Sequence, residues 1–454
     1  MLNNSHSLGL IKALTIGDGS SITQNQWAVF RKTGTTHLVV ISGSHVGLIA
    51  GLAYFLVLRF WVRTGWLKWS PQTVAAIVAM VVAVFYAGLA GFSVPTQRSV
   101  IMLVIAMRRL SGNAIYAPLI HWPLPWFDPL SVLSVGFWLL FLAVLMIVYV
   151  IAGRLQNSGY LLDVIKINWA TSVSLSPLLL LFFQQVSLIS PFANFIAVPV
   201  ISLLAVPLAL VGVLVMFVSP FLAVKLFFVI DIALQGLGWL LFRMAEWPYA
   251  TVTHVQPSVW ALVIAIPGIL LLLAPRGIPA RWLSLIMFLP LIVIASKKPE
   301  TGTINLTVLD VGQALSLVVQ TQNHWLFYDA GAKFSKESDI VKSVLLPFLR
   351  QQGAEKFDKL IISHGDNDHI GGAVSVLRGI PVEQLLTSAP ERLMDYLPVK
   401  CRAGHSWLWN DVRFTLLAPQ QKFVSENDNS CVLKNESKQG AVLLSSDIET
   451  STEN

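Results

Sequence analysis

Residues Lys359–Gly372 read KLIISHGDNDHIGG, and this stretch decides the architecture of the second half of the chain. Lys359 to Ile362 has the pattern of a short buried strand, so the residues after it occupy the loop where that strand ends. His364, Asp366, Asp368 and His369 place four metal-capable side chains within six residues of that loop. Such a cluster can converge on one or two cations without a distant partner. A solvated turn would also tolerate these residues, but the preceding strand and the following Gly371-Gly372 favour a built site.

Outward from this motif, composition divides the chain. Only Asp18, Asp128, Asp163, Asp231 and Glu246 supply acid before residue 300, against 17 basic residues. The remainder carries 19 acidic and 14 basic residues, within an overall net charge of +7. The basic excess therefore belongs to the apolar first part, where lysine and arginine mark loops, and is no sign of nucleic-acid binding. Leu38–Phe60, Thr73–Ala90, Val132–Ala152, Val198–Val218, Leu226–Phe242, Val259–Ala274 and Trp282–Ala295 are uncharged or nearly so. Most are long enough to cross about 30 Å of hydrocarbon. Eight to ten crossings are expected. Met1–Gln26 is polar with a short apolar patch, which argues against a secretory signal peptide.

Several spans are interrupted. Pro199 and Pro207 lie within Phe192–Val218 and predict a kinked or re-entrant segment beside a cavity, and Gln184-Gln185 put amides just before it. In HLVVISGSHVGLIAGL, from His37, Gly43, Gly47 and Gly51 recur every four residues and predict a smooth packing face. His45 then points away from that face, toward lipid or water, and with His37, Ser42 and Ser44 it suggests a polar pathway. Surface capping by both histidines is the alternative. Asp231 and Gln235, one turn apart, either line a channel or form an ordinary hydrogen bond.

Four segments together carry a family resemblance. HLVVISGSHVGLIAGL, GFSVPTQRSVIM (91–102), DPLSVLSVGFW (128–138) and SLISPFANFIAVP (187–199) resemble the membrane core of the ComEC family of DNA-uptake channels. The resemblance runs over roughly 30–250 and resumes over 304–449. It implies a bacterial inner-membrane, multi-pass channel that takes up single-stranded DNA during natural transformation, working with other competence machinery. His37, His45, Arg98 and Asn194 are its candidate pathway residues.

The aqueous part reads as strands around Ile304–Val308, Ala314–Val319 and Trp325–Tyr328, then a helix over Asp339–Arg350. After the motif come a helix over His369–Arg378, a hairpin over Trp407–Phe414 with Asn410-Asp411 at its turn, and a last strand pair, Cys431–Leu433 and Ala441–Leu444. This order matches a partial αββα metallo-β-lactamase-like sandwich following a polytopic α-helical membrane domain. The expected boundaries are 1–30 for a short N-terminal segment, 31–298 for the transmembrane competence domain and 303–454 for the sandwich.

That fold usually carries H-x-H-x-D-H, and here aspartate takes the second ligand place. The resemblance implies that His364 and Asp366 hold one divalent ion, Asp368 and His369 a second, with Asp447 bridging and Asp368 serving catalysis. Two such ions, manganese or zinc, placed about 3.5–4 Å apart would stabilise both oxygens of a phosphodiester displacement. A nuclease domain degrading the non-transported strand, outside the cytoplasm, is what the family implies.

Ala314 and Ser446 stand where the family usually shows glycine. The family's later histidine-bearing segment lies beyond Asn454, and no OB-like domain fits between Met1 and Gln26, so the soluble domain is expected to be cut short and its metal binding reduced. Two other readings stay open: a membrane-anchored phosphodiesterase with another substrate, and a non-catalytic binding module. His324 and His405 read as surface residues. Cys401 and Cys431 read equally as a disulfide or as two thiols.

Overall fold

The computed structural model describes residues 7–65, 68–111, 132–152, 159–275, 277–293, 298–333, 341–421 and 423–449. Asp128 and the first residues of DPLSVLSVGFW lie outside them, as does the start of the helix expected from Asp339. The chain forms two compact units. One comprises Met1–Leu179, Gln185–Val252 and Ala265–Met287, the other Leu180–Gln184, Thr253–Ile264 and Phe288–Asn454.

The first unit is helical. After α1 (Leu8–Ile16) and α2 (Gln24–Thr33) come α3 (Gly43–Thr64), α4 (Pro71–Leu89), α5 (Val94–Ser111) and α6 (Val135–Ala152). Next stand α7 (Tyr160–Phe183), α8 (Ser190–Val198), α9 (Val206–Met216) and α10 (Pro220–Ala245), and further on α11 (Val259–Leu273) and α12 (Leu283–Ile292), of which Leu180–Phe183, Val259–Ile264 and Phe288–Ile292 are grouped with the second unit. Local chemistry sets their ends. Thr23 and Gln26 form a reciprocal capping box at the start of α2, and Gly34 closes it with φ 68°. Ser70 caps α4 ahead of Pro71, and Ser219 caps α10 ahead of Pro220, the position where a missing N–H costs least.

Among the described residues, five helices are long and apolar enough to cross a membrane: Gly43–Thr64, Pro71–Leu89, Leu161–Phe183, Ser190–Met216 and Pro220–Ala245. Three shorter apolar helices, Val135–Ile151, Val259–Leu273 and Leu283–Ile292, stand where further crossings were expected. The chain is a polytopic helical membrane protein. Leu161–Phe183 is absent from the spans inferred from sequence because Asp163 and Lys166 interrupt its apolarity. The two pair at 3.3 Å, which reduces the cost of carrying both charges near one end.

Three expectations in this unit need correction. The glycine stripe of α3 is not its packing face. A Cβ at Gly47 or Gly51 would meet nothing within 4 Å, whereas one at Gly43 would meet the Ser99 side chain of α5. The buried face of α3 is instead His45, Val46, Ile49 and Ala50. It joins a core to which α4 contributes Ala76, Ala79 and Ala83, so the alanines of α4 supply the small-residue surface.

His45, accordingly, is fully buried rather than turned to lipid or water. Its Nδ1 accepts the Ser42 N–H at 3.4 Å, completing a cap for α3. The third correction is partial: of the kinked or re-entrant segment expected over Phe192–Val218, an irregularity at the prolines stands, within one continuous helical stretch Ser190–Met216. α8 passes into a π-helical turn at Pro199–Ala205 and on into α9, all with right-handed junctions. The wider turn accommodates the backbone donors lost at the prolines. Gln184 follows the last residue of α7 with φ 53° and its side chain donates to the Leu181 carbonyl at 2.9 Å, so its amide is spent at the helix end. Asp231 accepts from Gln235 at 3.0 Å and from Ser7, the ordinary hydrogen-bonding outcome.

The second unit contains two sheets. β1 (Asn305–Val308), β2 (Leu317–Gln320), β3 (Trp325–Tyr328), β4 (Phe357–Ile362), β5 (Val382–Thr387) and β6 (Val399–Lys400) lie side by side in that order. β1 to β3 pair antiparallel and β3 to β6 parallel. β7 (Ser406–Trp409), β8 (Val412–Leu416), β9 (Leu433–Ser437) and β10 (Gly440–Leu444) form an antiparallel sheet in the order β10-β9-β8-β7.

Alternation along the strands explains the layering. Val318, Phe327, Leu360, Ile362 and Leu385 form one core with Leu345, Leu349 and Val376 from the helical side. Leu317, Val319, Leu326, Tyr328, Ile361 and Leu386 face Val412, Phe414, Leu416, Leu433 and Leu444 of the other sheet. This is the helix-sheet-sheet arrangement of a metallo-β-lactamase-like sandwich.

Most elements fall where the pattern placed them, including the hairpin turn at Asn410-Asp411, whose residues take φ 48° and 63°. β5 has no counterpart in the expected strands, because its VEQLLT alternates only weakly before a Ser-Ala-Pro turn. The expected helix from Asp339 is described as a π turn at Val341–Leu345 leading into α13 (Leu346–Gln352). His324, partly exposed and outside the ligand cluster, hydrogen-bonds Asp358 at 3.1 Å and stacks on Trp409 at 4.7 Å. Cys401 and Cys431 form a disulfide, their Cα atoms 5.9 Å apart.

Candidate metal centre

β4 delivers Ser363 and His364 to the edge of the parallel strands. The chain then turns through Gly365 and Asp366 into α14 (Asn367–Ile370), followed by α15 (Ala373–Gly379). Gly371 and Gly372 are required by proximity. A Cβ at Gly371 would lie 2.5 Å from the Lys333 backbone N, and one at Gly372 would lie 2.3 Å from the Ala330 carbonyl O. The two glycines let the motif helix settle against the loop that follows β3.

That loop supplies a residue with no place in the motif. Asp329 is fully buried with φ 57°, a conformation that strains a non-glycine residue. It accepts the Ser363 N–H at 2.7 Å and the Ser363 hydroxyl at 2.7 Å, and lies 2.9 Å from His369 Nδ1. A carboxylate can only accept, so His369 Nδ1 carries the proton and Nε2 presents its lone pair to the site.

His364 is oriented by the same logic. Its Nδ1 lies 3.0 Å from Ser363 Oγ, whose own proton goes to Asp329, leaving Ser363 Oγ as the acceptor. The His364 Nε2 atom is buried and has no hydrogen-bond partner. An orphaned buried nitrogen is costly unless something else binds it, which is the condition a metal ligand meets.

Three donor atoms, one each from His364, His369 and Asp447, lie within 4.8 Å of one another. Asp447 Oδ2 is 3.3 Å from His369 Nε2, Asp368 Oδ2 is 3.6 Å from the same nitrogen, and Asp366 Oδ2 is 3.5 Å from His364 Nε2. The five candidate ligands therefore form one cluster of two buried imidazoles beneath three carboxylates that are about half exposed. The imidazole rings are 4.1 Å apart. Burial pushes the His364 pKa down, and His369 beside it adds to the effect, so His364 favours its neutral, ligating form. Burial also pulls His369 down, but the hydrogen bond and charge of Asp329, with the charges of Asp447 and Asp368, outweigh it and leave the pKa raised. The donor set fits a divalent cation: two imidazole nitrogens, carboxylate oxygens and an open side.

Ser446 precedes Asp447 with φ 54°. A glycine would take that conformation freely, and serine accepts the strain in exchange for a hydroxyl that donates to Ser363 Oγ at 2.7 Å. Asp329, Ser363 and Ser446 all escape a search for metal-ligand spacing, because each supports a ligand rather than being one. The signal available for Asp329 was its place at the end of a strongly apolar strand, directly before Ala-Gly.

The four membrane candidates are not gathered in the same way. His37 is exposed in the turn before α3. His45 is buried with Nε2 lacking a partner. Arg98 is buried with its guanidinium 4.9 Å from the Phe137 ring centroid. Asn194 donates to Ser190 Oγ at 3.0 Å, while its Oδ1 has no partner.

Comparison with known proteins gives two family matches: Competence protein over residues 14–278, and Metallo-beta-lactamase superfamily over residues 309–418. The chain is 36% identical to Competence protein ComA of Neisseria gonorrhoeae, covering 99% of this chain and 63% of that protein. It is 29% identical to Recombination protein 2 of Haemophilus influenzae, covering 98% and 62%. With ComE operon protein 3 of Bacillus subtilis the identity is 26%, covering 98% and 61%. The chain thus spans less than two thirds of the length of these relatives.

Proposed function

The chain belongs to the competence protein family, and from that premise we propose that its helical unit conducts single-stranded DNA across the bacterial inner membrane during natural transformation. The sandwich is then a metal-dependent phosphodiesterase that degrades the strand left behind. The observation that carries this reading is the convergence of His364, His369 and Asp447, with Asp366 3.5 Å from one imidazole, Asp368 3.6 Å from the other, and the His364 Nε2 atom buried without a hydrogen-bond partner.

In this reading His364 and Asp366 would hold one divalent cation, and Asp368 and His369 the other, with Asp447 a further ligand. Manganese or zinc bound there would supply Lewis-acid stabilisation of the oxygens of a phosphodiester. The protein's own part is orientation. Asp329 fixes the His369 tautomer, Ser363 fixes that of His364, and the half-exposed carboxylates leave the outer side open to a strand of DNA. The disulfide Cys401–Cys431 suits an oxidising compartment, which supports a soluble domain outside the cytoplasm. In the membrane unit, His45 Nε2 and Asn194 Oδ1 are buried polar atoms without a hydrogen-bond partner, which supports a functional role for both residues. A sandwich starting near residue 303 is consistent with β1 at Asn305–Val308.

Labelled duplex DNA offered to competent cells of the source strain tests both halves. An Asp368→Asn allele should stop release of acid-soluble label from the outer strand, and His45→Leu should lower internalised label at unchanged protein abundance. Undiminished degradation and uptake with these alleles would refute the proposal.

A further inference from the structure

An ion pair that the chemistry above does not use grips the candidate metal loop from outside. Arg392, in the turn Pro390–Arg392 after β5, sends Nη1 to the carbonyl of Gly365, the residue between His364 and Asp366. Its Nη2 donates to the two carboxylate oxygens of Glu426 at 2.9 and 3.0 Å. The pair lies directly against Gly365: a Cβ there would be 2.8 Å from the guanidinium carbon and 2.8 Å from Glu426 Oε2, so a side chain would displace the pair.

Glu426 opens a segment that touches both ligand-bearing stretches. Asp428 Oδ1 accepts the N–H of Glu449 at 3.1 Å, two residues past Asp447, and Asn427 Nδ2 donates to the Glu449 carboxylate at 3.3 Å. Ser430 Oγ lies 3.3 Å from His364 Nδ1. The Cys431 N–H donates to the Ser363 carbonyl at 3.0 Å, and its disulfide to Cys401 anchors the end of the segment.

A half-exposed Arg–Glu pair adds little to folding stability. Its two partners here are instead the peptide that spaces His364 from Asp366 and the loop that bonds beside Asp447. Resting on the metal-centre reading, we propose that Arg392 and Glu426 are a positioning pair that sets the Gly365 peptide and thereby the separation of the two ligand-bearing segments. The planar guanidinium suits this role because its rigid fork holds a carbonyl and both oxygens of a carboxylate in a fixed geometry, which the freely rotating ammonium of lysine does not impose.

The test is titration of the purified full chain with Co²⁺ alone, reading affinity and the visible absorption bands, beside the unfolding midpoint of the metal-free protein. Arg392→Gln and Glu426→Gln should each weaken Co²⁺ binding about 10- to 100-fold and alter the bands, the scale known for residues that orient ligands. The double variant should be no worse than the weaker single, because the two act as a unit. Arg392→Lys should recover only part of the affinity, and the metal-free midpoint should not move. Wild-type affinity and bands in both single variants, or a lowered midpoint with unaltered bands, would overturn the positioning role and leave the metal centre standing. Failure of the unsubstituted chain to bind Co²⁺ would overturn both. Should Arg392→Gln not fold, Glu426→Gln carries the same outcomes.

Discussion

Replacing Asp329 with alanine should destabilise the sandwich by roughly 3–5 kcal/mol, the usual consequence of removing one partner from a buried charged network. Three donors would be left unsatisfied: the Ser363 N–H, the Ser363 hydroxyl and His369 Nδ1–H. His369 would also lose the group that fixes its tautomer. Alanine brings no relief of strain at φ 57°, because it is no easier to hold there than aspartate. Asp329→Asn keeps the shape and removes the charge, so it should cost less stability while still impairing cation binding. Chemical unfolding of the full chain, followed at the sandwich by tryptophan fluorescence, checks the first expectation. A loss below about 1 kcal/mol, the range of an ordinary hydrogen bond, would show that Asp329 is not the organising residue.

Gly372→Ala is the second large effect. The added Cβ would lie 2.3 Å from the Ala330 carbonyl O and 2.7 Å from Val341 Cγ2. The carbonyl is backbone, so no rotamer change relieves the contact, and α15 must move away from the loop that carries Asp329. Overpacking of this kind costs about 1–3 kcal/mol, and more where backbone must shift. Gly379→Ala is the control, since nothing lies within 4 Å of its Cβ position. Protease resistance of the purified chain should fall in the first variant and hold in the second. Equal resistance would mean that the glycine is present for another reason.

The two halves were legible in the sequence to different depths. The motif Ser363–Gly372 disclosed a sandwich because it couples a strand, a ligand cluster and two glycines, all local features. Asp447 needed the family resemblance to be singled out, because it arrives from β10, some 80 residues away. Asp329, Arg392 and Glu426 were not singled out at all: their roles are contacts between loops far apart in the chain, and nothing in their own neighbourhoods states the partner.

In the membrane unit, hydropathy found most spans and failed at Leu161–Phe183, where a paired Asp163 and Lys166 disguise an apolar helix. Periodicity alone misassigned the faces of α3. Glycine spacing marks a surface that permits close approach, but which face is buried depended on the alanines of α4, a fact of the neighbouring helix. The prolines at 199 and 207 did mark an irregularity, and its form, a π turn within a continuous helix, follows from how neighbouring turns share the freed carbonyls.

Divalent cation binding by the purified full chain tests the central claim most directly. Equilibrium dialysis against manganese and against zinc should leave cation on the unsubstituted protein, and a chain carrying both His364→Ala and His369→Ala should retain none at the same free concentration. Binding that survives the double substitution, or no binding by the unsubstituted chain, would contradict the assignment of these residues as a metal centre.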